Sequence, residues 1–237
     1  MATASPTDYD ARSATYSADQ DVFRYDVATF ALSTAVLAAG TDGALSGTTF
    51  TSAGANFTTA GIAVGDVIEY VASGTTNRWQ EGEILLRVTA VTDANNLAVA
   101  RLDTIFEAGQ SFAAETSRPW QIKTMDHWRR MAWREIGVRR GRLDDPEQPI
   151  TSSETGDDAD QVWRPEDLLE AEVLLTLAKF WEARWSGDED AAALGKAERY
   201  QNRFDAMFAQ VQILTKLSGE SRPSARINPG VVKMRRV

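Results

Sequence analysis

The sequence contains no cysteine, which excludes disulfides and cysteine-ligated metal sites. It has one histidine, so a histidine-rich metal or catalytic centre is excluded as well. No stretch approaches the roughly 20 consecutive apolar residues of a membrane span. The first residues have neither a basic start nor an apolar run, and no signal peptide is predicted. A formal net charge of −9 argues against nucleic-acid binding by the whole surface.

What the sequence does contain is enough apolar material for a substantial core. The chain has 237 residues, 43% of them hydrophobic, and seven tryptophans. That length allows one large or two small domains. We predict an α+β protein in four parts: an N-terminal arm (1–27), a β module (28–115), an antiparallel bundle of three or more helices (116–219) and an extended basic C-terminal tail (220–237).

The β module is indicated by regularly spaced glycines with β-branched and aromatic runs between them. Ile84, Leu86 and Val88 alternate with polar or outward positions, and the run from Asp93 to Asn96 predicts a turn. We therefore expect four to six short strands in a small antiparallel barrel or sandwich. The glycines that mark the turns are Gly43, Gly47, Gly54, Gly61, Gly65, Gly74 and Gly82.

The helical half is predicted from apolar residues at intervals of three and four. A first helix is expected to open at Pro119, because proline fits the first helical turn. Its apolar face would be Ile122, Met125, Trp128, Ala132 and Ile136. A second helix, apolar nearly all round, follows Pro165, and a third ends at Ser218-Gly219. The short connection between these two predicts an antiparallel hairpin.

Signals for catalysis are few, and we expect that the protein is not an enzyme and needs no cofactor or metal ion. His127, beside Trp128, is more typical of a packed or surface residue than of a catalytic one. No G-x-S-x-G turn and no phosphate-binding loop is present. A polysaccharide-binding module or hydrolase that uses Tyr70, Trp79, Glu81 and Glu83 is an alternative, but the two glutamates of a strand would simply line one solvated face.

Two local basic patches stand out in this acidic chain. Between Arg118 and Arg142, eight basic residues oppose two acids, a balance of +6. This patch predicts ionic pairing within or between subunits, with a solvated face balanced by nearby acids or a nucleic-acid contact as alternatives. The residues expected to pair between subunits are Arg129, Arg130, Arg134, Arg139 and Arg140.

The second patch is the tail, where five basic residues in 220–237 oppose Glu220, a balance of +4. A disordered end is one interpretation. The other is a strap that orders on a partner, with apolar and charged contacts. The residues expected in such a contact are Arg222, Arg226, Val231, Val232, Lys233, Met234, Arg235 and Arg236.

The helical hairpin of Leu168–Trp185 and Leu194–Leu217, with a helix before it and an extended tail after it, resembles the head–tail adaptor (connector) proteins of tailed bacteriophages. The stretches from Phe50 to Tyr70 and from Arg87 to Val99 are similar to β modules of phage virion proteins. A plain adaptor has only the bundle, so the β module would be an addition. Whether it precedes or interrupts the bundle stays open.

The resemblance implies a structural virion protein, made in the host cytoplasm and placed in the neck between head and tail. It implies a homo-oligomeric ring, commonly of twelve subunits, whose tails dock into the portal protein and whose other side meets the next neck or tail component. DNA would pass only in transit, and no membrane is involved. A tail terminator, a stopper or a minor tail protein is the alternative.

Overall fold

Six strands close into an antiparallel barrel that two short helices precede. The helices are α1 (Asp19–Tyr25) and α2 (Ala28–Leu32). The strands are β1 (Val36–Gly47), β2 (Thr49–Thr51), β3 (Val67–Val71), β4 (Glu83–Val91), β5 (Asn96–Arg101) and β6 (Phe112–Lys123). Their order is β1-β2-β5-β4-β3-β6, and β6 pairs back onto β1. Closure leaves no strand of this sheet with an unpaired edge.

The computed structural model describes residues 15, 17–71, 83–102, 112–139, 161–162, 168–185, 191–209, 213–216 and 225–227. The chain divides into two units. One combines Met1–Ser17 with His127–Val237, and the other is Ala18–Asp126. The barrel unit therefore lies in the sequence between the two pieces of the other unit, which we call the helical unit.

The barrel interior is filled with apolar side chains. Inward residues of the strands alternate with outward ones, as the period of two requires. Phe50 and Phe57 place their rings 5.5 and 5.7 Å from that of Trp120. Burying a large apolar side chain of this kind contributes about 1.5–3 kcal/mol. The buried set is Leu45, Phe50, Phe57, Ile62, Ile68, Tyr70, Leu86, Val88, Leu97, Val99, Trp120 and Ile122.

The loop after β2 is held by the turn between β4 and β5. The Asn95 side-chain amide donates to the carbonyls of Ser52 (3.0 Å) and Ala55 (2.6 Å). The Phe57 N–H donates to the Ala94 carbonyl at 2.7 Å, which fixes the point where the Phe57 ring enters the core. The turn predicted from Asp93 to Asn96 is confirmed and has this further role.

The prediction of a helix from Pro119 is wrong for its first turns, because Phe112–Lys123 is a strand and α3 begins only at Asp126. Ile122 points into the barrel core instead of lying on a helix face. Pro119 lacks an N–H, and the strand tolerates it because pairing with β1 is irregular between Trp120 and Arg118. The β structure therefore continues past residue 115 to Lys123.

The two ends of the barrel unit are joined by polar contacts. An oxygen of the buried Asp19 carboxylate accepts the Met125 N–H at 2.9 Å. Lys123 Nζ donates to the carbonyls of Phe30 (3.0 Å) and Ala31 (3.3 Å), near the end of α2. These contacts hold the first helices of the unit against its last strand, and the beginning and end of the unit lie side by side.

The helical unit contains three longer helices and a small sheet. In chain order they are α3 (Asp126–Arg139), β7 (Gln161–Val162), α4 (Leu169–Arg184), α5 (Ala191–Phe208), β8 (Ile213–Lys216) and β9 (Ala225–Ile227). Helix α4 is buried nearly all round, as its sequence predicts, and packs along α5. The three strands pair in the order β7-β8-β9.

Helix α5, which corresponds to the third helix of the prediction, is shorter than predicted. It ends at Phe208, and the residues predicted as its last turns form β8, which pairs with β9. Ile213 and Thr215 are β-branched residues, which favour a strand over a helix end. Within the predicted tail, Ala225–Ile227 forms the paired strand β9, and the rest of 220–237 lies outside the described residues.

The substitution Gly43→Ala tests the packing of the barrel. A Cβ at this position would lie 2.7 Å from Trp120 Cδ1 and 3.0 Å from the Arg118 carbonyl oxygen. Because the contact with the buried Trp120 ring is too short for a real Cβ, the core must shift, and we expect a loss of about 1–3 kcal/mol in the free energy of unfolding. Urea unfolding followed by tryptophan fluorescence measures it. Ser46→Ala, exposed on the same strand, is the control, and equal stability of the two variants would contradict this packing.

Candidate functional site

The five arginines predicted to pair between subunits have different surroundings in the structure. Arg129 is fully buried, and Arg139 is bound within the chain. Arg130 and Arg134 lie on the exposed side of α3. Arg140 lies outside the described residues. The structure thus brings together only part of the predicted set at one surface.

Arg129 belongs to a buried cluster that we call the clamp: Thr15, Ser17, Arg129 and Glu172. Arg129 Nη1 donates to Thr15 Oγ1 at 3.0 Å and also to the Ser17 carbonyl. Glu172 accepts from the Ser17 hydroxyl at 2.5 Å and from the Ser17 N–H at 3.3 Å. All four residues are completely buried. The clamp therefore fixes the N-terminal segment to α3 and α4.

The burial of the clamp decides what Arg129 can do. A charge in the protein interior is costly unless hydrogen bonds and an opposite charge compensate it. Here the short segment at Thr15 and Ser17 supplies donors and acceptors to both charged side chains. Arg129 has no surface to offer a neighbouring subunit, so we do not carry its predicted intersubunit role forward.

A second ionic network joins the three helices of this unit. Glu135 binds Lys179 of α4 at 2.5 Å and Arg139 of its own helix at 2.7 Å. Arg139 also binds Asp205 of α5 at 2.7 Å, and its guanidinium lies 4.9 Å from the Phe204 ring centroid. These contacts connect α3 to both α4 and α5. The charge of Arg139 is therefore paired within the chain.

The network also lowers the pKa of Glu135. Burial alone would raise the pKa of Glu135, but the hydrogen bond and charge of Lys179, with the charge of Arg139, hold that pKa below its usual range. A carboxyl whose folded-state pKa is lowered stabilises the fold above its unfolded pKa. That contribution is lost as the pH falls through the folded-state value, so the helix contacts weaken in acid.

The exposed side of α3 combines positive charge with apolar surface. Ala132, Trp133 and Ile136 face inward and are buried. The opposite side, which we call the outer face, consists of Arg130, Met131, Arg134 and Val138. Met131 and Val138 are 41% and 47% exposed. Large apolar side chains beside arginines are typical of protein contact surfaces.

An open groove runs between α4 and α5, with a volume of about 430 Å³. Its apolar lining comes from Ala178, Leu194 and Ala197, and its polar lining includes the carboxylates of Glu182 and Glu198. Within the described part of the chain, no hydrogen bond or ion pair holds either carboxylate. The groove is thus an acidic depression with an apolar floor, on the same unit as the outer face.

Most of the predicted portal-docking residues lie outside the described residues. These are Arg222, Val231, Val232, Lys233, Met234, Arg235 and Arg236. Arg226 is the exception: it lies in β9, opposite Leu214 of β8. The docking role of the tail remains a prediction.

Of the residues considered for catalysis, the structure describes the side chains of His127 and Tyr70. His127 is exposed, with its ring 4.9 Å from that of Trp128. Tyr70 is fully buried in the barrel, so it offers no platform for a sugar, and burial raises its pKa to about 12. Trp79, Glu81 and the side chain of Glu83 lie outside what the structure describes.

Asp42 is a carboxyl of the barrel unit that is held by several hydrogen bonds. It accepts from Ser52 Oγ and from the Gly54 N–H, both at 2.7 Å. These hydrogen bonds, that of Ser52 foremost, lower the pKa of Asp42 to about 2. A carboxylate held this firmly is a weak base near neutral pH, so the Asp42–Ser52 pair anchors the loop after β2 and does not activate the hydroxyl.

Neither a metal centre nor a membrane span is found in the described ranges. No group of three or more histidine, aspartate or glutamate side chains there could hold a metal ion. None of the helices there is long and apolar enough to cross a membrane.

The comparisons with known proteins add no relative. No protein-family model, no curated protein and no solved structure matches the chain. Interpretation of the surfaces therefore rests on their geometry and chemistry.

Removing the charge of Arg129 tests the clamp. Arg129→Met leaves Glu172 buried without the arginine that shares its Ser17 contact, so we expect a loss of about 3–5 kcal/mol in stability. Far-UV circular dichroism during urea unfolding follows the helices. Arg130→Met, on the exposed side of the same helix, should change stability by less than about 0.5 kcal/mol.

The double variant Arg129→Met/Glu172→Leu separates charge from packing. Because it removes both buried charges, it should cost clearly less than the sum of the single variants. A buried role for Arg129 is refuted if Arg129→Met unfolds at the same urea concentration as Arg130→Met.

Proposed function

We propose that the protein is a structural virion component of a tailed bacteriophage: a head–tail adaptor that forms a ring in the neck, between the portal and the tail. The outer face of α3 is the observation that carries this proposal. It presents Arg130 and Arg134 together with two exposed apolar residues on a helix whose inner side is firmly packed. Such a surface suits a lasting contact with another protein.

The helical unit has the rigidity that a ring subunit needs. Glu135, Arg139, Lys179 and Asp205 link its three longer helices. The clamp adds buried contacts between the N-terminal segment, α3 and α4. In the proposal these helices form the antiparallel bundle of the adaptor, which supports side contacts that do not deform when neighbours bind.

The barrel is proposed as a second contact module, directed at the next neck component. Its interior is occupied by packed side chains, so a function for the barrel would use its outer surface. Closed antiparallel barrels present a stable outer surface without free strand edges. A stopper, a tail terminator or a minor tail protein would use the barrel as its main contact, which makes this the alternative position within the virion.

The tail is proposed to dock into the portal through its basic and apolar residues. The β9 strand limits how this can be tested, since removal of everything after Arg222 would also remove a strand of the small sheet. Truncation after Gly230 spares β9 and removes Lys233, Arg235 and Arg236. The net charge of −9 would also keep passing DNA from adhering to the ring.

Mass photometry of the full-length chain, alone and with the portal protein of the same phage, tests the proposal. We expect assemblies at a fixed multiple of the 26.0 kDa subunit mass, formed or stabilised by portal. A chain ending at Gly230 should fold and form rings yet bind portal at least tenfold more weakly. A full-length chain that stays monomeric with and without portal would contradict the function.

A further inference from the structure

We infer that the outer face of α3 in one copy of the chain binds the groove between α4 and α5 of the next copy. This contact would be the side-to-side joint of the ring, and it rests on the proposed function. The interface would thus consist of the outer face and the groove, whereas the basic patch in the sequence indicates only the outer face.

The groove offers the complementary chemistry for that face. Leu194 and Ala197 provide apolar surface, and the carboxylates of Glu182 and Glu198 lie beside it. Since neither carboxylate is held by an ion pair among the described residues, both can accept hydrogen bonds from an arriving guanidinium. An acidic depression with an apolar floor selects an occupant that is both basic and apolar.

The outer face is such an occupant. Arg130 and Arg134 are one helical turn apart, and Met131 and Val138 lie on the same side of the helix. Both arginines are exposed, and each guanidinium has five donors, so it can engage a carboxylate in addition to an intrachain contact. Met131 and Val138, 41% and 47% exposed, would lose their contact with water against the groove floor.

The two surfaces are different patches of the same unit, which determines the symmetry of assembly. When one patch binds a different patch of the next copy, the contact is heterologous and repeats head to tail. Such a contact closes into a ring when the rotation per subunit divides a full turn. A pair of local opposite charges also opposes the general repulsion between subunits of net charge −9.

Reciprocal charge reversal tests this contact in the full-length chain. Arg130→Glu/Arg134→Glu makes the outer face acidic, and Glu182→Lys/Glu198→Lys makes the groove basic. Each variant alone should be monomeric at concentrations where the wild type forms rings, because like charges then meet. A one-to-one mixture should assemble again, with the two variants alternating, since each acidic face then meets a basic groove.

A matched control separates this contact from the effect of net charge. Arg134→Glu and Arg101→Glu change the charge equally, but Arg101 is an exposed residue of β5 in the barrel unit. The concentration for half-assembly should rise at least tenfold for Arg134→Glu and stay within twofold of wild type for Arg101→Glu. Circular dichroism confirms that the variants are folded, and the chain carrying all four reversals should assemble by itself.

The outcomes distinguish this inference from the function. If the wild type forms rings and both reversed variants still do so, the inference is wrong and the adaptor function stands. If only the groove variant dissociates, the groove holds another segment, and the inference is again wrong. Two folded variants that fail to assemble when mixed also overturn it. A wild type that stays monomeric even with portal overturns both.

Discussion

The fold depends on two buried charges that share one short N-terminal segment. Arg129 and Glu172 are both removed from water, and Ser17 contacts each of them. Without that segment, two interior charges would lose hydrogen bonds that water cannot replace. Ser17 directly precedes residues 18–126, and Arg129 and Glu172 follow them, so the clamp joins parts of the chain on both sides of the barrel unit. Contacts such as Asp19 to Met125 keep the two ends of that unit together.

This arrangement divides the work between the two units. The barrel is complete in itself, with paired strand edges and a filled interior. The helical unit holds the outer face, the acidic groove and the ionic network that keeps them rigid. In the proposed function, assembly belongs to the helices, and the barrel contacts a neighbouring component of the neck.

Local patterns in the sequence predict the elements whose cause is local. The apolar residues all round α4, the turn at Asp93 and the alternation in β4 are visible in the sequence, and they predict the α+β class with a small antiparallel barrel or sandwich. The choice of a closed barrel comes from the pairing of β6 with β1. The sequence predicts a helix where β6 ends, because Ile122, Met125 and Trp128 are spaced like the apolar face of a helix. The residues before Thr124 form a strand instead because they pair with β1 and β3. The clamp could not be predicted, since Ser17 and Glu172 are 155 residues apart. The basic patch indicated an interface helix, but only burial separates Arg129 from Arg134.

The central claim is that the helical unit makes the ring. Hydrogen exchange measured by mass spectrometry, on the full-length chain as monomer and as assembled ring, tests this claim most directly, because it locates the contacts without any substitution. The account predicts slower exchange on assembly in α3 and along α4 and α5, with the barrel strands unchanged. Slower exchange concentrated in β1 to β6, with α3 unaffected, would contradict the account.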